Sequence, residues 1–131
     1  MSCLLDTDIC IYVLRGHPVV RAHFEEQIHN GIVVSVITLA ELRYGAACSA
    51  KVDENQQVIN NWLESVAVLD VTPAVAQVYA ASKAALRKQG NLIEDFDLLI
   101  GATAITHDLT LITNNVSHFE RIPGIMLDRW I

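Results

Sequence analysis

Apolar positions along this chain alternate between short runs and longer helical stripes. Cys3-Leu4-Leu5 reads as a first strand ending at Asp6, followed by a short helical stretch to Leu14. His17-Pro18 then opens a helix with Val20, Phe24 and Ile28 on one stripe, since proline suits the first helical position, where no backbone N–H is needed. Ile32-Val33-Val34-Ser35 predicts a second strand, and a helix is expected from about residue 38 to residue 48. A further helix is expected to turn Val58, Ile59, Trp62, Leu63 and Val66 inward, with residues 66–71 as a third strand. Thr72-Pro73 caps and opens a helix with Val75, Val78, Tyr79, Ser82 and Leu86 on one face, and Gly90 ends it. From Glu94 to about Thr106 the chain is apolar nearly all round, the mark of a helix buried on most sides. Residues 110–113 predict a fourth strand and residues 125–127 a short fifth one at the sheet edge.

Strands of this length joined by helices predict an α/β protein. The expected architecture is a three-layer, Rossmann-like fold with a central, mostly parallel sheet of four to five strands flanked by helices. Ligands of such sheets bind beyond the carboxyl ends of the strands. At 131 residues the chain suits a single domain over residues 1–131. Hydrophobic residues make up 52% and charged ones 18%, which excludes a disordered chain. The most apolar run, residues 31–40, falls well short of the roughly 20 residues that span a bilayer. No basic flank precedes the first apolar residues, so neither a signal peptide nor a membrane span is expected. Cys3, Cys10 and Cys48 form an odd, unpatterned set and read as reduced core residues of a cytoplasmic protein.

The balance of 9 Lys+Arg against 15 Asp+Glu gives a formal charge of −6. That argues against a sequence-independent DNA binder, which carries a basic footprint. It leaves room for a metal-dependent nuclease, whose site carboxylates are counted without their cations. Two divalent ions would bring the sum to about −2.

The placement of the acids is more informative than their number. Asp6 closes the first strand, Glu41 lies early in the helix after the second, Asp95 and Asp97 open the buried helix, and Asn115 follows the fourth strand. A doubly wound sheet brings Asp6, Glu41, Asp97 and Asn115 to one rim. Three carboxylates and an amide oxygen are hard ligands, suited to Mg²⁺ or Mn²⁺ rather than zinc. Converging anions repel one another unless a cation joins them, and phosphoryl chemistry is the natural use of that cation. Each residue also has a plainer reading. Thr38-Leu39-Ala40-Glu41 fits a capping box, leaving Glu41 open between cap and ligand. Asp95 suits a helix cap better than a ligand, and two positions along a helix it faces away from Asp97. Asn114-Asn115 reads equally as a turn. Asp8 is a candidate for an outer contact or for a cap of the next helix. His17, His23, His29, His107 and His118 lack ligand spacing and are assigned to surface or capping roles. Trp62 and Trp130 are expected to pack in the core, and Arg43, Arg87 and Lys88 either meet phosphate or serve helix ends.

Four blocks in order carry a family resemblance: Leu-Leu-Asp-Thr-Asp-Ile (4–9), Ser-Val-Ile-Thr-Leu-Ala-Glu-Leu-Arg-Tyr-Gly (35–45), Ile-Glu-Asp-Phe-Asp-Leu-Leu-Ile-Gly-Ala (93–102) and Leu-Ile-Thr-Asn-Asn-Val-Ser-His-Phe-Glu-Arg-Ile-Pro-Gly (111–124). From Leu4 to Trp130 the chain resembles the PIN-domain toxins of the VapC type. The resemblance implies a PIN-like fold and a Mg²⁺- or Mn²⁺-dependent endoribonuclease, the toxin of a toxin–antitoxin pair. It implies a homodimer, held inactive by a VapB-type antitoxin whose C-terminal segment occupies the active-site groove, and contact with operator DNA only through that antitoxin. The implied substrate class is tRNA, including the anticodon stem–loop of initiator tRNA. By position, Asp6, Glu41 and Asp97 match the family's metal-site acids. Asn115 falls where many members have a fourth acid, and Asp8, Asp95 and Asn115 are the candidates for outer contacts.

Two other readings compete. A phosphatase of the haloacid dehalogenase type would use Asp6 as nucleophile, because Asp6-Thr7-Asp8 ends a strand as that motif does. Cys10 stands where that family expects threonine, and the later acidic pair opens a helix instead of following a strand. A non-catalytic dimerisation or nucleotide-binding module of receiver-like fold is the other; metal would leave its stability nearly unchanged.

Overall fold

The computed structural model describes residues 3–131. Its five strands are β1 (Cys3–Leu5), β2 (Ile32–Ser35), β3 (Ala67–Leu69), β4 (Thr110–Ile112) and β5 (Met126–Asp128). They form one sheet in the order β3-β2-β1-β4-β5, every pair parallel. The chain steps outward from β1 to β2 to β3 and then returns to the other side of β1. The topological switch point therefore lies between β1 and β4, where side chains beyond both carboxyl ends share a crevice.

Among the described residues, seven α-helices cover the sheet: α1 (Thr7–Leu14), α2 (Pro18–Gln27), α3 (Val36–Ala47), α4 (Val52–Trp62), α5 (Pro73–Lys88), α6 (Asp95–Thr106) and α7 (Val116–Phe119). Alternation along the strands divides the core in two. Cys3, Leu5, Ile32, Val34 and Ile112 pack with residues of α1 to α4 such as Ile9, Phe24, Leu42 and Trp62. Leu4, Val33 and Leu111 pack on the opposite face with Leu86 of α5, Leu98 and Ile100 of α6, and Phe119 of α7. Both sheet faces are thus buried, which explains why the strands read as continuous apolar runs. Gly101 lets α6 approach closely, since a Cβ there would stand 2.6 Å from Ile122 Cδ1.

Several boundaries differ from the pattern in the sequence. α3 begins at Val36, ahead of Thr38, because Ser35 at the end of β2 caps it, its Oγ accepting from Ile37 N at 3.0 Å. β3 is shorter than residues 66–71, and Val71 is exposed. Val58 is exposed on α4, whereas Ile59 and Trp62 are buried as expected. His17 accepts from Val20 N and Thr72 Oγ1 from Val75 N, so both expected helix starts form, although Ile28 falls in a 3-10 turn after α2. β5 pairs with β4 at the sheet edge. Cys3 and Cys10 are buried, but Cys48 is exposed at the end of α3. Trp62 packs near Phe24, and Trp130 is buried with the ring of His23 stacked on it.

Candidate active site

Asp6 leaves β1 and caps α1, its Oδ1 accepting from Thr7 N at 2.8 Å. Its Oδ2 accepts from Thr113 Oγ1 at 2.7 Å, joining the ends of β1 and β4 across the switch point. The side chain is buried, with 6% of the residue exposed. Burial, the neighbouring Asp8 and then Asp97 push its pKa from 3.8 up to about 7, against the opposing hydrogen bonds from Thr113 and Thr7. A carboxylate in that state lacks a positive partner.

The other acids converge from three elements. Asp8 Oδ1 accepts from Ile9 N at 2.7 Å, and its Oδ2 from Asn114 N at 3.3 Å. Glu41 lies in the second turn of α3 and accepts from Thr7 Oγ1 at 2.8 Å. Thr38, buried within the same helix, meets that hydroxyl at 3.0 Å. Of the two readings left open for Glu41, the capping box is not formed: Ser35 takes the cap, and Glu41 turns to the rim. Asp97 Oδ2 stands 3.1 Å from His118 Nδ1. Burial raises the pKa of Asp97, His118 opposes the rise, and Glu41, Glu94 and Asp8 add to it. Asn115 precedes α7; its N donates to Thr113 Oγ1 at 2.9 Å, and its amide lies 2.9 Å from His118 Nδ1.

Asp95, read as a helix cap or as a candidate outer contact, turns toward α5. Its Oδ1 accepts from Lys83 Nζ and from Tyr79 Oη on α5, each at 2.8 Å, and these bonds hold its pKa below the usual carboxylate value. Nor does it cap α6, which Glu94 precedes. The reason is angular: two residues along a helix lie on different faces, so Asp97 meets the rim and Asp95 meets α5. Arg43 is likewise committed, to Gln56 and Asn60 of α4. His118 sits among the acids instead of in a surface or capping role. Thr7 and Thr113 also escaped the sequence reading. Their only signal was position, each within two residues of a strand's carboxyl end.

Among the described residues, no three Asp, Glu, His or Cys side chains close on one point as they stand. His118 engages Asp97, and Thr7 engages Glu41, and both are exchangeable partners. The donor chemistry nevertheless fits a hard divalent cation: neighbouring carboxylates, two of them with raised pKa values, and the Asn114 Oδ1 oxygen buried without a hydrogen-bond partner.

The sequence that folds into this parallel five-stranded sheet, with acids gathered at its switch point, matches the PIN domain model over residues 3–125. The chain belongs to the PIN-domain family. Its similarity extends over essentially the whole length to two ribonucleases. One is Ribonuclease VapC2 of Rickettsia felis, 36% identical over 99% of this chain and 98% of that protein. The other is the tRNA(fMet)-specific endonuclease VapC of Shigella flexneri, 35% identical with the same coverage. The solved structure of VapBC2 from Rickettsia felis bound to a promoter DNA fragment superposes with a TM-score of 0.94 at 34% identity, covering 100% of both chains. Neither the phosphatase nor the receiver-like reading survives this assignment.

Proposed function

We propose that the protein is a metal-dependent endoribonuclease, the toxin of a toxin–antitoxin pair, working in the cytoplasm. One observation carries the reading: the Asp6 carboxylate is buried at the switch point, where burial and the charges of Asp8 and Asp97 raise its pKa. The whole-length similarity to VapC ribonucleases supports the same activity.

Asp6, Asp97 and Glu41 would hold Mg²⁺ or Mn²⁺, with Asp8 and Asn115 as outer contacts. When bound, that ion supplies an activated water and stabilises charge on the phosphodiester. The chain's own groups do the positioning. Thr7 fixes two acids at once, its N–H holding Asp6 and its hydroxyl holding Glu41. Glu41 binds the ion or orients the attacking water, and Asn115, exposed beside His118, positions water or the phosphate. Water adds in line to phosphorus, the bond to the 3′ oxygen breaks, and that oxygen takes up the proton the water gives up. The products are a 5′-phosphate and a 3′-hydroxyl.

The substrate we propose is tRNA, in particular the anticodon stem–loop of initiator tRNA, because the Shigella relative is named for that specificity. The inhibitor is a VapB-type antitoxin. A groove of about 310 Å³ between α1, α3 and α4, lined by Ile11, Leu14, Leu42, Ala46 and Ile59, reaches Glu41 at its edge. An apolar antitoxin segment seated there approaches the acids. The toxin works as a homodimer, assembles with antitoxin into a hetero-oligomer, and reaches operator DNA only through that partner. Among the described residues no helix is long and apolar enough to cross a membrane.

Sequencing RNA ends after induction of the chain, beside Asp6→Asn, tests this reading. New 5′-phosphate ends within tRNA are expected for the wild type and not for the variant. Equal cleavage by both, or cleavage undiminished in EDTA, overturns it.

A further inference from the structure

The first turn of α6 presents one residue that neither the core nor the acid cluster uses. Successive helical positions are about 100° apart. Asp95 points to Lys83 and Tyr79 on α5, Asp97 to His118 on α7, and Leu98 is fully buried. Phe96 therefore occupies the sector between the two acids, and it is 53% exposed. Leu92, in the segment leading into the helix, is 49% exposed. Cations flank this apolar strip. Lys83 Nζ donates to Asp95 and to Tyr79, which leaves one of its three donors for another acceptor. Arg121 Nη1 donates to the Leu92 carbonyl at 3.4 Å, which places a guanidinium at the other end.

We propose that Phe96 is the stacking platform for an unpaired RNA base next to the scissile phosphate, with Lys83 and Arg121 taking the flanking phosphates. This assignment rests on the endoribonuclease reading and deepens it. A chain with only 9 basic residues and a formal charge of −6 gains little from a general attraction to RNA. Base stacking on an exposed aromatic supplies affinity that needs no net positive charge and tolerates any base. The position suits the purpose, because the platform is one residue from Asp97. A base held on Phe96 brings its own phosphate to the acids, and a duplex offers no such face. The platform therefore selects single-stranded loops.

The test uses the full chain carrying Asp6→Asn, so that RNA is bound and not cut. The probe is a stem–loop RNA with 2-aminopurine placed in turn at each loop position. Stacking on Phe96 quenches the fluorescence at one loop position. Phe96→Ala abolishes that quench and weakens binding about tenfold, and Phe96→Trp restores both. In the Asp6-intact background, Phe96→Ala raises KM far more than it lowers kcat, with the melting temperature unchanged. Binding and KM unaltered by Phe96→Ala overturn the platform alone. A change from dimer to monomer on that substitution assigns the strip to a second copy of the chain and also overturns it. RNA that the wild type neither binds nor cuts in Mg²⁺ or Mn²⁺ overturns the endoribonuclease reading with it.

Discussion

Replacing Asp6 by asparagine isolates the cost of gathering acids at the switch point. The fold raises the Asp6 pKa from 3.8 to about 7. Between those values the native protein holds a proton that the unfolded chain has released, so stability falls as pH rises through the window and levels off above it. Integrated over the shift, the metal-free protein loses about 2 kcal/mol by pH 5 and about 4 kcal/mol by pH 8. Asparagine has no proton to release, so its pH curve lacks this drop. It also keeps the local bonds: its oxygen accepts from Thr7 N, and its amide donates to Thr113 Oγ1 in place of the bond Thr113 now gives. Allowing for relaxation around the ionised side chain, about 2 kcal/mol remains at pH 8. For a chain of this size that corresponds to a melting temperature higher by about 6–8 °C. The assay is thermal unfolding by circular dichroism in EDTA at pH 5 and pH 8. The gap between variant and wild type should widen with pH, and saturating Mg²⁺ should stabilise only the wild type. A variant that melts below the wild type at pH 8 in EDTA, or a gap that is the same at both pH values, refutes the account of Asp6 as an uncompensated buried acid.

Four further substitutions test its neighbours. Thr113→Val removes the donor to Asp6 Oδ2 and the acceptor of Asn115 N, and should cost about 2 kcal/mol in urea denaturation, more at pH 8 than at pH 5 because the acid left behind is then ionised. Asp97→Asn should abolish the rise in melting temperature on adding Mn²⁺, whereas Asp95→Asn, disturbing only the exposed links to Lys83 and Tyr79, should leave that rise intact; the same response from both would place Asp95 at the ion. Thr7→Val releases Glu41 while preserving shape, so RNA cleavage should fall about tenfold, as expected for loss of a positioning contact, with the fold intact by circular dichroism.

The sequence made the sheet legible because both of its faces are buried, and apolar runs such as Ile32-Val33-Val34 need no turn chemistry to announce themselves. Asp6 stood out for the same reason, as an acid ending a central strand. Ser35 did not, since a residue that finishes a strand and also caps a helix carries no separate mark. Placing that cap at Thr38, three residues too late, made Thr38 and Glu41 look like partners. In the fold, Thr7 takes Glu41 from 34 positions away. His118 was hidden because its partner Asp97 lies on α6, the helix before β4, and only the path of the chain through β4 brings the two side chains together. Asp95 and Asp97 show the converse: helical angle alone separated them correctly, but which neighbour each would meet depended on α5 and α7.

The bond between Thr113 and Asp6 ties residues 107 positions apart. During synthesis, a growing chain that has exposed β1, α1 and α3 still lacks the strand that completes this crevice, and the Asn115–His118 pair emerges later still. The crevice around Asp6 therefore cannot close before β4 has been made, and a chain cut short ahead of Thr113 leaves that acid without its donor.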